Sequence, residues 1–100
     1  MAWQFAIEAA ALAEGAHTQV RLGGEAILLS HLDDGFHAVH DTCLHRGASL
    51  SAGPLSGSTI TCHLHFWAFD VRSGICTQVP SIALKVFPTK TEEGNVYVDV

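Results

Sequence analysis

The sequence predicts a small all-β domain, and three observations lead to this expectation. Apolar and polar residues alternate in several short segments, glycine-containing turns separate these segments, and the longest helix-like run is too short to pack as a helix. The chain of 100 residues suits one domain, which we expect to span residues 1–100. Hydrophobic residues make up 48% of the chain, enough for a packed core and unlike a disordered segment.

The predicted strands follow one another with turn signals between them. Alternation predicts a first strand at residues 3–7 and a second at residues 18–22, whereas residues 8–13 are expected to form at most one helical turn. Gly23-Gly24 is typical of a turn, and Asp33-Asp34-Gly35 is typical of a hairpin. The further predicted strands cover residues 26–30, 36–39, 59–61, 66–69, 85–87 and 95–100.

Two short Cys/His pairs carry the chemistry that this sequence offers. Cys43 and His45 form the first pair, Cys62 and His65 form the second, and the sixteen residues 46–61 separate them. Two thiolates and two imidazoles can hold a zinc ion, or a [2Fe-2S] cluster in which two histidines replace two cysteines on one iron. Because each pair supplies only half of a ligand set, the fold has to bring two loops face to face.

The residues around these pairs resemble the cluster-binding stretch of Rieske [2Fe-2S] ferredoxins from bacterial multicomponent aromatic oxygenases. The matching residues are Cys43-Leu-His45-Arg46-Gly47, Leu50-Ser51, Gly53, Leu55, Gly57, Ile60, Cys62, Trp67-x-Phe69-Asp70, Ser73-Gly74, Pro80 and Val96-Tyr97-Val98. The resemblance is weaker before about His40. It implies the Rieske iron–sulfur fold, in which a small antiparallel β-barrel or sandwich base carries a three-stranded cluster-binding subdomain, here at about residues 41–80.

The resemblance also implies a role for each candidate ligand. Cys43 and Cys62 would bind the inner iron of a Rieske-type [2Fe-2S] cluster, and His45 and His65 would bind the outer iron near the surface. Burial and backbone N–H donors suit a thiolate, whereas a neutral imidazole adds no charge and leaves its second ring nitrogen available at the surface. These four residues are therefore the expected metal-binding and cofactor-binding residues.

The side chains expected beside the cluster predict a low reduction potential. High-potential relatives carry a disulfide between the two cluster loops and donate Ser and Tyr hydroxyls to the cluster sulfurs. This sequence has Ala48 and Leu64 at the disulfide positions, and Trp67 and Phe69 at the hydroxyl positions. Since hydrogen bonds to sulfur raise the potential, we expect a value of roughly −150 mV.

An electron carrier rather than an enzyme is the expected function. The sequence shows no Ser/His/Asp set and no phosphate-binding glycine loop. The resemblance implies single-electron transfer from a flavin-containing, NAD(P)H-dependent ferredoxin reductase to a terminal oxygenase that hydroxylates a small aromatic hydrocarbon. The alternatives are the small Rieske subunit of an assimilatory nitrite reductase and a zinc-stabilised binding module.

The class of oxygenase stays open, because the two loops point to different systems. The first loop, with Leu44 and Arg46-Gly47 around its histidine, is closer to ferredoxins of aromatic-ring dioxygenases. The second loop has His63 directly after its cysteine and Phe66 directly after His65, and it resembles ferredoxins of toluene-type diiron monooxygenases. Either a dioxygenase or a diiron monooxygenase is therefore a possible partner.

Charge and composition restrict the partners and the compartment. Ten acidic residues against five basic ones give a net charge of -5, which disfavours nucleic acid and favours a protein partner with a basic patch. The apolar run at residues 9–13 is too short for a signal peptide or a membrane span. We therefore expect a cytoplasmic protein without membrane attachment, and we expect a monomer because a mobile carrier has to meet two partners in turn. Cys76 has no evident partner for a disulfide, which fits a reducing compartment.

Other side chains near the ligand pairs have structural interpretations. His63 is expected at the solvent-facing tip of its loop. Arg46 either contacts a partner protein or forms a salt bridge with Asp41 or Asp70, and both interpretations stay open. Core, strand or turn positions are expected for Trp67, Phe69, Cys76, His17, His31, His37 and His40.

Overall fold

The computed structural model describes residues 2–43, 48–64 and 66–100. Within these ranges, ten β-strands and two single-turn 3-10 helices, Ala9–Ala11 and Leu50–Ala52, account for the regular structure, and the strands pair antiparallel. This confirms the predicted all-β class. The strands are β1 (Trp3–Glu8), β2 (His17–Leu22), β3 (Glu25–Leu32), β4 (Gly35–His40), β5 (Leu55–Ser56), β6 (Thr59–Thr61), β7 (Ala68–Asp70), β8 (Val86–Phe87), β9 (Thr89–Glu92) and β10 (Asn95–Asp99).

The strands form three sheets, two in the base and one on the side of the predicted ligands. The base contains a three-stranded sheet in the order β1-β10-β9 and a four-stranded sheet in the order β2-β3-β4-β8. The third sheet has the order β5-β6-β7. Gly23 and Gly24, with φ of 58° and 80°, make the two-residue turn between β2 and β3, as the sequence predicts. Positive φ at both positions is the geometry that glycine allows in such hairpins.

Strand β3 lies between two apolar cores because both of its faces are buried. Ile27 and Leu29 face the base core, whereas Leu28 and Leu32 face the site core, since successive side chains of a strand point to opposite faces. The base core contains Leu12, Ile27, Leu29, Ala38, Phe87, Val96 and Val98. The site core contains Leu28, Leu32, Val39, Cys43, Leu50, Ile60, Cys62, Phe69, Val71, Cys76 and Leu84.

The observed strands differ from the predicted ones in three places. A strand was expected at residues 66–69, but β7 begins at Ala68 because Phe66 has a φ of 64°, which no strand accommodates. Strands β5 and β9 are present in the structure but were not predicted from the sequence. The sequence of β9, Thr-Lys-Thr-Glu, lacks apolar alternation, and the strand is set by its pairing with β10. The expected helical turn is the 3-10 helix Ala9–Ala11.

Candidate metal centre

Cys43 and Cys62 are both buried in the site core. Cys43 lies three residues after β4, Cys62 directly follows β6, and both side chains are 0% exposed. The Cys43 N–H donates to the Ala48 carbonyl at 2.7 Å, and the Cys62 N–H donates to the Trp67 carbonyl at 2.7 Å. Each of these bonds closes a loop at its cysteine, so both sulfur atoms belong to the inner end of a loop.

The two predicted nitrogen ligands, His45 and His65, lie outside the described residues, as does Arg46. The structure therefore brings the two predicted sulfur ligands into one core, and the complete four-residue set stays a prediction. Among the residues that the structure describes, no three His, Cys, Asp or Glu side chains form a group suited to a metal ion. This is expected when half of the predicted ligands lie outside those residues.

The neighbours of His65 lie at the surface. His63 is exposed, as predicted, and Leu64 and Phe66 are 60% and 72% exposed. The second loop thus runs from a buried cysteine to a solvent-facing tip. This change of environment over four residues suits a site with sulfur donors inside and nitrogen donors outside.

Trp67 and Phe69, the two aromatic residues after the second loop, differ in burial, although both were expected to be buried. Phe69 is 0% exposed and packs in the site core, which confirms the expected burial. Trp67 is only partly buried and packs against the edge of that core. Cys76 is fully buried, as expected for a small apolar side chain.

Gly53 brings the segment before β5 into direct backbone contact with the end of β6, beside Cys62. A Cβ added at Gly53 would lie 1.8 Å from the carbonyl oxygen of Thr61, the residue before Cys62. The neighbouring Pro54 carbonyl accepts a hydrogen bond from the Thr61 N–H at 3.1 Å. Only glycine leaves room for this close approach, which explains in steric terms why residue 53 is a glycine.

Asp41 is a buried carboxylate that joins the two ends of the first loop, two residues before Cys43. It is 2% exposed. Its Oδ2 accepts hydrogen bonds from Gln19 Nε2 at 2.6 Å and from the hydroxyls of Ser49 and Ser51, each at 2.8 Å. Its Oδ1 accepts one from the Ser51 N–H at 2.7 Å. These hydrogen bonds offset the free-energy cost of burying the Asp41 carboxylate. They also fix the two ends of the first loop to each other and to β2.

Sequence patterns did not predict the supporting residues of the loops. The sequence indicated Asp41 only as a possible salt-bridge partner of Arg46, and it indicated no role for Gln19 or Gln78. Gln78 contacts the end of the second loop, where its Oε1 accepts from the Ala68 N–H at 2.9 Å and its Nε2 donates to the Phe66 carbonyl at 3.0 Å. These roles depend on backbone groups that only the folded chain brings near, so no local signal marks them.

An ion pair joins the β3–β4 turn to the turn after β7. Arg72 Nε donates to Asp34 Oδ2 at 2.9 Å, and its Nη2 contacts Asp33 Oδ1 at 3.2 Å. His37 Nε2 lies 2.8 Å from Asp34 Oδ1. The hydrogen bond from Arg72, followed by that from His37, holds the pKa of Asp34 well below its ordinary range. The Asp34 carboxylate in turn raises the pKa of Arg72.

In the ranges that the structure describes, no helix is long and apolar enough to cross a membrane.

Known proteins resemble this chain over most of its length. Residues 2–88 match the family described as the Rieske [2Fe-2S] domain. Ferredoxin CarAc of Metapseudomonas resinovorans is 40% identical over 79 residues, which cover 78% of this chain and 74% of that protein.

Two solved structures share the arrangement of sheets. A chain in a complex of reduced oxygenase and oxidised ferredoxin in carbazole 1,9a-dioxygenase is 36% identical, with a TM-score of 0.88, over 96% of this chain and 91% of that chain. The terminal oxygenase of carbazole 1,9a-dioxygenase from Novosphingobium sp. KA1 is 34% identical, with a TM-score of 0.90, over 98% of this chain and 29% of that chain. This chain therefore spans nearly all of the first chain and under a third of the second.

Proposed function

Because this chain belongs to the Rieske [2Fe-2S] domain family, we propose that it is the ferredoxin component of a bacterial multicomponent oxygenase. It takes single electrons from a flavin-containing, NAD(P)H-dependent reductase and passes them to a terminal oxygenase that hydroxylates a small aromatic hydrocarbon. Its likeness to ferredoxin CarAc and to a chain in an oxygenase–ferredoxin complex supports this role. In this role the chain is an electron carrier and carries no catalytic residue of its own.

The residues present fit a Rieske cluster. The observation that carries the proposal is the common burial of Cys43 and Cys62 at the inner ends of two loops, in one core. We propose that these cysteines hold the inner iron and that His45 and His65 hold the outer iron. When bound, the cluster supplies a centre that accepts and releases one electron.

The protein surroundings would keep the sulfur side dry and the loop tip accessible. Leu50 and Phe69 are 0% exposed and share the site core with the two cysteines, so water is excluded there. Leu64 and Phe66 are exposed on either side of His65 in the sequence. Exposed apolar side chains beside a nitrogen ligand offer a surface on which an electron-transfer partner docks closely.

We expect a low reduction potential for this centre. Trp67 directly precedes β7, Phe69 lies within it, and neither side chain carries a hydroxyl group. Ala48 and Leu64 carry no thiol groups, so the loop-crossing disulfide of high-potential relatives is unavailable to this chain. Both features favour the low end of the Rieske range, at roughly −150 mV.

The expected working form is a cytoplasmic monomer whose single domain spans residues 1–100, with a cluster-binding subdomain at about residues 41–80. The separate third sheet supports the subdomain. Cys76 carries a free thiol, which suits a reducing compartment. The net charge of -5 suits successive docking on partners with basic surfaces.

A redox titration of the purified protein, followed by optical and EPR spectra, tests the proposed function. We expect uptake of one electron at roughly −150 mV near neutral pH, with a lower value at alkaline pH as the ligand imidazoles lose protons. A positive potential would contradict the low-potential assignment. Bound zinc without acid-labile sulfide would contradict electron transfer itself.

Substitution of the histidines tests the proposed ligand set. His45→Cys or His65→Cys replaces a neutral ligand by an anionic one, which lowers the reduction potential or prevents cluster assembly. His63→Cys is the matched control, because His63 lies in the same loop and is exposed. An unchanged potential and spectrum in both ligand variants would contradict the assignment.

A further inference from the structure

Phe66 directly follows the proposed ligand His65 and has a backbone conformation that is unfavourable for its residue type. Its φ is 64°, in the left-handed region that residues with a Cβ rarely adopt. Its side chain is 72% exposed, so packing of the ring into the core cannot be what maintains this conformation. Hydrogen bonds to the backbone of Phe66 and its neighbours have to maintain it.

Three hydrogen bonds hold this part of the loop. The Phe66 N–H donates to the Cys62 carbonyl at 3.0 Å, which closes the turn around the loop tip. Gln78 Nε2 donates to the Phe66 carbonyl at 3.0 Å, and Gln78 Oε1 accepts from the Ala68 N–H at 2.9 Å. One side-chain amide therefore satisfies a carbonyl and an N–H two residues apart, as a neighbouring strand would.

The orientation of the Gln78 amide is itself determined by its neighbours. Its Oε1 also faces two groups that can donate, the Thr77 hydroxyl at 3.0 Å and the Cys76 Sγ at 3.7 Å, and the same hydroxyl lies 3.3 Å from the Ala68 carbonyl. Its Nε2 faces the Phe66 carbonyl, which only accepts. The backbone of this segment is fixed as well, because the Thr77 N–H donates to the Ala68 carbonyl at 2.8 Å.

We propose that Gln78 is a positioning residue for the cluster: its amide holds Phe66 in the left-handed conformation and thereby sets the direction in which the chain leaves His65. The inference rests on the proposed function, since it takes His65 as a ligand. Gln78 acts through the loop backbone. Loss of its two hydrogen bonds allows Phe66 to relax toward ordinary backbone angles, which displaces the ligand that precedes it.

The test compares Gln78→Met with Thr89→Val in the holoprotein. Methionine has a similar length and cannot form the two hydrogen bonds of glutamine. Thr89 donates through its Oγ1 to the Phe36 carbonyl at 2.8 Å in the base, so Thr89→Val also removes a side-chain to backbone hydrogen bond, but away from the loops. Both variants are expected to lower Tm, which makes Thr89→Val the control for a general loss of stability.

Two readouts separate positioning from stability. We expect Gln78→Met to lose iron to a chelator at least tenfold faster than the wild type and to broaden the EPR signal of the reduced protein. Thr89→Val is expected to stay within twofold of the wild type in iron loss, with an unchanged EPR signal. Iron loss and EPR signal in Gln78→Met equal to those of Thr89→Val would overturn the proposal.

A second variant tests whether Gln78 acts through Phe66. Glycine adopts positive φ readily, so Phe66→Gly removes the conformational strain that Gln78 opposes. We expect the tenfold effect of Gln78→Met on iron loss to fall below threefold when both substitutions are combined. An equal effect in the two backgrounds would overturn the route through Phe66.

Hydrogen exchange of the Ala68 amide distinguishes failure of this inference from failure of the proposed function. In the protein as purified, Gln78→Met is expected to reduce Ala68 protection at least tenfold. Unchanged Ala68 protection in a protein that carries an intact Rieske cluster would overturn the role of Gln78 alone. A wild type that holds zinc without sulfide would overturn the proposed function, and the positioning role with it.

Discussion

At Gly53, the backbone that leads from the first ligand loop to β5 passes close to the backbone of Thr61, the last residue of β6 before Cys62. Gly53→Ala places a Cβ 1.8 Å from the Thr61 carbonyl oxygen, and no side-chain rotation relieves that overlap. Because the φ of Gly53 is -95°, alanine tolerates the conformation itself, and the expected loss is steric. We expect the free energy of unfolding to fall by about 3 kcal/mol, measured by urea denaturation.

Gly24→Ala is the control for Gly53→Ala. Gly24 has a φ of +80° with nothing within 4 Å of an added Cβ, so alanine there experiences backbone strain without overlap. Its expected loss is about 1 kcal/mol. A loss at Gly53 no larger than that at Gly24 would contradict the close approach of Gly53 to the Thr61 backbone.

The hydrogen bonds of Asp41 lead to a second prediction, which concerns the stability of the variant Asp41→Asn. In Asp41→Asn, one carboxylate oxygen becomes an NH2 group that cannot accept a hydrogen bond. If the amide nitrogen replaces Oδ1, the Ser51 N–H lacks its acceptor. If it replaces Oδ2, Gln19 Nε2 and the hydroxyls of Ser49 and Ser51 lose that acceptor, and Gln19 Nε2 keeps only its longer contact with Ser49 Oγ at 3.3 Å. A buried donor without a partner costs about 2 kcal/mol, so the midpoint of urea denaturation should fall accordingly.

Asp99→Asn controls for the chemical change alone. Within the described part of the chain, Asp99 Oδ1 is buried and accepts no hydrogen bond, so Asp99→Asn removes a carboxylate charge without breaking a hydrogen bond at this atom. We expect no loss of stability in this variant. Equal losses for the two substitutions would show that the contacts of Asp41 do not contribute to stability.

Residue type predicted the candidate ligands but not the residues that support them. Cys43 and Cys62 could be identified from the sequence because thiols and imidazoles at short spacing have few other uses. Asp41 and Gln78 are common polar residues, and their importance comes from N–H and carbonyl groups that the fold brings close. Phe66 was expected in a strand because aromatic residues favour strands, yet its hydrogen bonds place it in a turn.

At the level of elements, Arg72 connects two turns that are distant in the sequence. Its hydrogen bond lowers the pKa of Asp34 below the ordinary 3.8, with a smaller contribution from His37. The stability due to Asp34 is therefore fully present above about pH 4 and is lost as the pH falls through the lower, folded-state value. The pair is partly exposed, so we expect little effect on stability at neutral pH.

Arg72→Gln should raise the pKa of Asp34 toward 3.8 without fully restoring it, because the bond from His37 persists. The loss of stability on acidification then becomes less steep. NMR titration of the Asp34 carboxyl carbon measures the change directly. In the control Asp33→Asn, the bond between Arg72 Nε and Asp34 is kept, so the pKa stays low. An unaltered Asp34 titration in Arg72→Gln would contradict the ion pair.

The sequence predicted strands where the alternation is local and missed strands that depend on partners. β1 and β2 alternate clearly and lie where the pattern indicated. β9 contains two threonines, a lysine and a glutamate, and it exists because its backbone pairs with β10. β5 has two residues and depends in the same way on β6. Patterns within one segment carry no information about such pairings.

At the scale of the molecule, the four-stranded sheet divides the protein into two cores with different roles. The base core contains none of the proposed ligands, whereas the site core contains both Cys43 and Cys62. The resemblance to Rieske ferredoxins implied a base and a subdomain. It did not indicate that β3 contributes alternate side chains to both cores. A strand that is buried on both faces appears in the sequence only as a continuous run of apolar residues, which does not show which core each side chain faces.

This division predicts a local response to removal of the metal. Ligation across two loops contributes folding free energy, so iron removal should release mainly the site core. We expect hydrogen exchange in β5, β6 and β7 to accelerate by about tenfold or more, while β1, β9 and β10 stay protected. The variant Cys62→Ala should show the same pattern, and Thr89→Val, which removes a hydrogen bond in the base away from the loops, should keep the iron and the protection of β5, β6 and β7. Equal acceleration in all three sheets would mean that the two cores unfold as one unit, and the cluster would then stabilise the whole protein rather than its site.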